Sequence, residues 1–222
     1  MVNKHLFLFG SGPPFTPGMA ERFSGIIMKR KGPVSILFIE REGMDWREYM
    51  PVFTQPLKDK GVHSFNCLPL LSTSVREICE SIKQSAGILI GGGDTNLYAD
   101  YIADTEVAGA IKAKYEIGVP IAGFSAGALI SPDRCVISPN DNTEGVLQHR
   151  MGMGLIQGVL LAVHFSQWND EPHLKNAVRT FPNRLNFGID EKTAIYLRDG
   201  EYIDAEGGGV YSIENGLLKR IN

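Results

Sequence analysis

Val119-Pro120-Ile121-Ala122-Gly123-Phe124-Ser125-Ala126-Gly127-Ala128-Leu129-Ile130 reads as a short buried strand that turns directly into a helix. Gly123 to Gly127 fits G-x-S-x-G, and the small residues that follow suit a helix start. A strand-to-helix turn this tight holds a serine hydroxyl exposed on a strained backbone. Glycines at 123 and 127 let neighbouring backbone approach where a side chain would clash. The unpaired N–H groups of the helix start, Ala126 among them, can stabilise an oxyanion. The bare five-residue pattern also occurs in ordinary Gly/Ser turns. The flanking strand and helix signals make Ser125 the candidate nucleophile.

Upstream of this turn, apolar runs and helical patterns alternate. Leu6–Phe9, Val34–Ile39, Val62–Leu68 and Ala86–Ile90 read as strands, the last wholly apolar and hence central. Pro17–Arg30, Val75–Ser85 and Leu97–Lys114 read as helices, and Asp45–Asp59 as a helix interrupted by Pro51 and Pro56. This alternation predicts an α/β fold with a mostly parallel central sheet and helices on both faces. Ligands of such sheets sit at the carboxyl ends of the strands. Gly91-Gly92-Gly93-Asp94-Thr95-Asn96 falls there, with backbone N–H groups able to approach a ligand closely. Gly10-Ser11-Gly12 is followed by two prolines and does not continue into a dinucleotide fingerprint, so no cofactor is expected.

Downstream, Ser131–Gly152 is polar, with little strand or helix signal, as segments bordering active sites often are. Gly158–Val163 is another buried strand, and it delivers His164 to the sheet edge where Ser125 sits. A helix over Glu171–Thr180, strands over Leu185–Ile189 and Ala194–Arg198, and antiparallel hairpins near the C-terminus complete the pattern.

The 222 residues suffice for one α/β domain spanning 1–222 and are short for two. A net charge of −3 offers no attraction to nucleic acid or an anionic membrane surface. Cys67, Cys79 and Cys135 are odd in number and lack C-x-x-C spacing, which fits reduced thiols rather than disulfides or a metal site. The apolar run within Met1–Gly10 is too short for a signal peptide, and no window approaches a membrane span. A cytoplasmic address is expected.

A serine needs a neighbouring base. Of five histidines, His5 and His63 belong to the first and third strands, His149 to a loop and His173 to a surface helix. His164 is the candidate base. The acid that orients it is Asp141, on the polar excursion, or Glu191, after the next strand, with Asp133 and Glu144 as weaker candidates.

Gly-Gly-Gly-Asp-Thr-Asn, Gly-Phe-Ser-Ala-Gly-Ala, Val-His-Phe-Ser-Gln and Gly-Ile-Asp-Glu-Lys-Thr-Ala together resemble the peptidase E and cyanophycinase family of serine peptidases, from Phe9 to about Val210. The resemblance implies a class I glutamine amidotransferase-like fold with serine as nucleophile. It implies Ser125 and His164 as nucleophile and base, and an oxyanion hole built from the Gly91–Gly93 loop, chiefly Gly92 and Gly93, with Ala126. Asn140-Asp141 matches the acid of the peptidase E type, and Gly188–Glu191 matches the cyanophycinase type. Asp94, Thr95, Asn96, Gln167 and Trp168 are the substrate-binding candidates.

Family members that cleave after aspartate, or at β-aspartyl-arginine, carry arginines soon after the catalytic histidine. Here Ser166–His173 has none, and Lys175, Arg179 and Arg184 come later. Asp170, Glu171 and Trp168 favour a neutral or cationic substrate instead. The expected function is a serine peptidase acting on short peptides through an acyl-enzyme, dipeptidase-like, with homodimerisation left open. An esterase is the first alternative, although α/β-hydrolases usually place the histidine near the C-terminus and none follows His173. A catalytically silent binding domain on the same fold is the second.

Overall fold

The computed structural model describes residues 2–182 and 184–222. The first half runs β1 (His5–Phe9), α1 (Pro17–Ile27), β2 (Val34–Phe38), α2 (Trp46–Lys58), β3 (Phe65–Pro69), α3 (Val75–Gln84), β4 (Gly87–Ile90), α4 (Thr95–Tyr98), α5 (Glu106–Glu116), β5 (Ile121–Phe124) and α6 (Ala126–Leu129). The second half adds β6 (Arg134–Ile137), β7 (Gln148–Met151), β8 (Val159–Val163), α7 (Glu171–Thr180), β9 (Leu185–Ile189), β10 (Ala194–Arg198), β11 (Glu201–Glu206), β12 (Val210–Glu214) and β13 (Leu217–Arg220).

Seven strands form the central sheet, in the order β11-β10-β1-β5-β4-β2-β3. β1, β5, β4, β2 and β3 are parallel, and β10 and β11 extend the β1 edge antiparallel. Strand periodicity divides the core cleanly. Leu6, Leu8, Leu37, Ile88, Ile90 and Ile121 face α3 and α5, while Phe7, Phe9, Ile36, Phe38, Leu89 and Phe124 face α1 and α2. Each large apolar side chain so buried contributes roughly 1.5–3 kcal/mol. The mostly parallel sheet between two helical layers, with hairpins β10–β11 and β12–β13 toward the C-terminus, is the expected fold class.

His164 does not come from this sheet. β8 lies in a second, four-stranded sheet of order β13-β12-β9-β8, parallel to β9. The two sheets meet at the end of β1. Phe9 C=O accepts the Ser125 N–H at 3.0 Å, and Gly10 C=O accepts the His164 N–H at 2.8 Å. A Cβ at Gly10 would overlap the Ile189 and Asp190 carbonyls, so only glycine permits this seam.

Four other expectations change. α2 runs unbroken through Pro51 and Pro56. The carbonyls their rings leave unpaired belong to Arg47 and Val52, both on the solvent face, and the buried stripe Met50, Phe53, Leu57 holds the helix. The expected Leu97–Lys114 helix is instead α4, a π-helical turn over Ala99–Ala103, and α5, which restarts where the Thr105 side chain accepts from the Val107 N–H. The polar excursion contains the antiparallel pair β6–β7, with His149 in β7. Gln148-His149-Arg150-Met151 carries no apolar alternation because this ribbon stands outside both sheets. β3 begins at Phe65 rather than Val62, leaving His63 exposed ahead of it.

Candidate active site

The loops after β1, β2, β4 and β5 converge at one end of the sheet. Ser125 occupies the turn between β5 and α6 with φ 50°, a region β-carbon-bearing residues seldom adopt. The turn's two glycines have separate reasons. A Cβ on Gly123 would strike the Gly127 carbonyl, and one on Gly127 would strike Ile90 O and Gly91 O. Helix α6 is thereby pressed against β4 and β5, and the serine is pushed outward.

His164 reaches Ser125 from the second sheet, with Nε2 3.1 Å from Ser125 Oγ. Its Nδ1 lies 2.8 Å from Glu191 Oε1. His164 also has positive φ, 49°, which swings the ring off the end of β8 toward the serine. Trp168 stacks on the imidazole at 4.3 Å between ring centroids, and its backbone N–H donates to His164 O. Gln167 serves Glu191 rather than the cavity: its Oε1 accepts the Glu191 N–H at 2.9 Å. Asp190, beside Glu191, is buried and accepts from the N–H groups of Ser166 and Gly209, clamping three segments of the second sheet.

Asp141 lines the same cavity but is not the carboxylate on the imidazole. It accepts the Thr95 hydroxyl at 2.6 Å. Burial pushes its pKa up to about 6, against the lowering effect of the Thr95 hydrogen bond and with a further raising effect from Asp94. Asp133 is paired bidentately with Arg184 and accepts the Gly158 N–H, which makes it structural, and Glu144 is exposed. His5 bonds the Tyr196 hydroxyl, and His173, expected on the surface, is only 5% exposed. α7 packs over β8 and β9, so its inward face carries His173, Leu174 and Ala177.

Gly92 and Gly93 lie opposite the serine. Their N–H groups and that of Ala126 take no acceptor among the described residues, whereas the Gly91 N–H is spent on Leu37 O at 2.9 Å. Gly91 therefore drops out of the expected donor set. The Tyr98 hydroxyl donates to Gly92 O at 3.4 Å and accepts the Ile39 N–H, holding the Gly92–Gly93 peptide in orientation. A Cβ at Gly92 would sit 3.0 Å from Phe124 O and 3.1 Å from Ser125 Cβ. Gly92→Val is expected to lower kcat about a hundredfold by displacing a donor. Steady-state kinetics normalised to folded protein checks this. Loss of stability with unchanged kcat would reduce these glycines to turn formers.

A cavity of about 430 Å³ opens over Ser125, His164, Gly92 and Gly93. Asp94 and Trp168 line it as expected. Thr95 is buried beneath Asp141, and Asn96 faces β7, donating to Gln148 and accepting from Arg150. Lys175 pairs with Glu171, Arg179 with Asn176 and Arg184 with Asp133, so none supplies a cation here. Asp170 is turned to Ser138 and Asn140, away from the cavity. The charges that do line it are Glu40, Arg41, Asp94 and Asp141. Arg41 stacks over Tyr49 at 5.1 Å. Both Glu40 and Arg41 come from the loop after β2, which sequence reasoning passed over. Their signal was position: a charged pair directly following a buried parallel strand.

Among the described residues no cluster of His, Cys, Asp and Glu is arranged to hold a metal ion, and no helix is long and apolar enough to cross a membrane.

The profile of peptidase family S51 matches residues 12–204, which takes in the elbow, the glycine loop, His164 and Glu191. The chain belongs to peptidase family S51. It is 31% identical over 144 residues to a cyanophycinase from Geminocystis herdmanii, covering 62% of this chain and 52% of the relative. The chain thus matches about half the length of that cyanophycinase. Among solved structures, a peptidase from an acI-B1 Actinobacterium superposes with a TM-score of 0.75 at 22% identity, covering 98% of this chain and 93% of the other. A putative peptidase E from Listeria monocytogenes superposes with a TM-score of 0.66 at 18% identity over the whole of both chains. The resemblance to the peptidase E and cyanophycinase group, read from four motifs, is borne out, as is the fold it implied.

Proposed function

We propose that this S51 chain hydrolyses short peptides as a serine peptidase, with Ser125 as nucleophile, His164 as base and Glu191 as the acid that orients it. The observation that carries the reading is the continuous Ser125 Oγ–His164 Nε2, His164 Nδ1–Glu191 chain, set beside three N–H groups that have no acceptor among the described residues. His164 takes the serine proton as Oγ attacks the scissile carbonyl. The developing oxyanion is met by the N–H groups of Gly92, Gly93 and Ala126. His164 then returns the proton to the leaving amine, and a water, deprotonated by the same imidazole, hydrolyses the acyl-enzyme.

The charges lining the cavity favour a neutral or cationic acyl side chain, since Glu40, Asp94 and Asp141 outnumber Arg41. We expect Arg-Leu and Leu-Leu to be cleaved faster than Asp-Leu at equal concentration. The preference for Arg-Leu should strengthen between pH 5 and 7, as Asp141 ionises through about 6. Initial rates on the three dipeptides at both pH values test this. A clear preference for Asp-Leu that Arg41→Ala abolishes would show that the guanidinium dominates instead. The cyanophycinase relative favours a second reading, in which the substrate is cyanophycin or a fragment of it. Release of soluble product from cyanophycin, measured beside the dipeptides, decides between them.

A further inference from the structure

A second cavity, of about 650 Å³, borders His164 but not Trp168. Its walls are the loop Ser11–Pro17, the Glu191-Lys192 turn and Glu206-Gly207. It shares His164, Gly12 and Pro13 with the catalytic cavity but includes neither Ser125 nor the oxyanion glycines. Resting on the peptidase reading, its place in the reaction follows from where the proton must go. The acyl part of the substrate stays with Ser125 and the Gly92–Gly93 donors. The departing amine must lie against the imidazole that protonates it, so the leaving group extends into space that borders His164.

The charged groups of this cavity differ in how far they are committed. Glu206 accepts the Thr16 hydroxyl and the N–H groups of Gly18 and Met19, and these bonds hold its carboxyl below the usual range against the opposing effect of burial. Glu191 is engaged with His164. Lys192 has its backbone N–H on Ser11 Oγ, and its ammonium makes no ion pair among the described residues. Its positive φ, 54°, turns the chain so that residues 191 and 192 border the same space. The remaining walls are Pro13, Pro14, Phe15 and Pro17, which suit an aliphatic or aromatic side chain.

We propose that this cavity is the leaving-group subsite, and that Lys192 holds the α-carboxylate of a departing C-terminal amino acid. The enzyme then favours bonds followed by a single residue, and adds a selection by charge on the leaving side to the one made on the acyl side. Lys192 is a specificity residue and takes no part in bond breaking.

The test compares Leu-Leu with Leu-Leu-amide, which differ only in the carboxylate that Lys192 would meet. Wild type is expected to give a kcat/KM about fivefold higher on the free acid, the upper range for one solvent-accessible ion pair. Lys192→Gln should bring the ratio close to one, mainly through KM, Lys192→Arg should retain it, and Lys192→Glu should invert it. A purely structural role would change both substrates together and leave the ratio where it was. Cleavage of both by wild type at equal efficiency, or a ratio unmoved in Lys192→Gln and Lys192→Glu, overturns the proposal while leaving the peptidase reading intact. Failure of the wild-type enzyme to cleave either, or any other peptide, removes the peptidase reading and this proposal with it.

Discussion

Ser125→Ala is expected to lower kcat by about 10⁴- to 10⁶-fold on any substrate the enzyme turns over, with its unfolding transition nearly unmoved. The hydroxyl's hydrogen bond in the folded chain is to His164, and the Cβ that must tolerate φ 50° is present in both residues. Little folding energy is therefore at stake. His164→Ala should cost a similar factor, and the double variant hardly more than either alone, because each removal already abolishes the activated alkoxide. The check is active-site titration with a serine-directed phosphonate alongside kcat. Wild type should be labelled stoichiometrically and Ser125→Ala not at all. Near wild-type turnover by Ser125→Ala would sink the serine-peptidase reading, and a wild type inert to the phosphonate would favour a silent binding domain.

The second large effect separates the two carboxylates that sequence left in competition. Glu191→Gln should lower kcat by about 10³- to 10⁴-fold, since an amide can orient the imidazole but cannot stabilise the imidazolium. Asp141→Asn should lower kcat by less than tenfold, because Asp141 bonds Thr95 and not the imidazole. It should also change stability in the opposite direction. The Asp141 pKa is raised on folding, so its contribution to stability is fully present below about pH 4 and is lost as pH rises through about 6. At pH 7 and above the half-buried anion is a net cost, on the order of 3 kcal/mol. Asp141→Asn should remove that cost and flatten the stability curve between pH 4 and 7. Chemical denaturation at pH 5 and 8 measures this. A collapse of kcat in Asp141→Asn with Glu191→Gln little affected would exchange the two roles.

The fold was legible because strand and helix periods are local properties. VSILF, GILI and the VPIAGFSAG turn each declare their state within a few residues. Ser125, His164 and the glycine loop were legible for the same reason, since each ends a strand. The acid was not. Glu191 and Asp141 are both polar residues after short ordered segments, and only the three-dimensional path of β9 brings Glu191 to Nδ1. The membership of β8 in a second sheet was equally hidden, because an apolar run says that a strand is buried and not which strand lies beside it. Pro51 and Pro56 misled for a different reason. Local propensity was overruled by the apolar stripe of α2 and by water's access to the two freed carbonyls.

Ser125 and His164 hang from adjacent carbonyl oxygens, those of Phe9 and Gly10, although each follows a strand of a different sheet. One dipeptide therefore acts as the gauge block between the two sheets. Any rotation of the second sheet against the first is transmitted through that block to the 3.1 Å gap between Ser125 Oγ and His164 Nε2. That distance is thus a mechanical reading of sheet alignment. Changes in the packing beneath β9 and β12, remote from every reacting atom, will show in turnover sooner than in melting temperature.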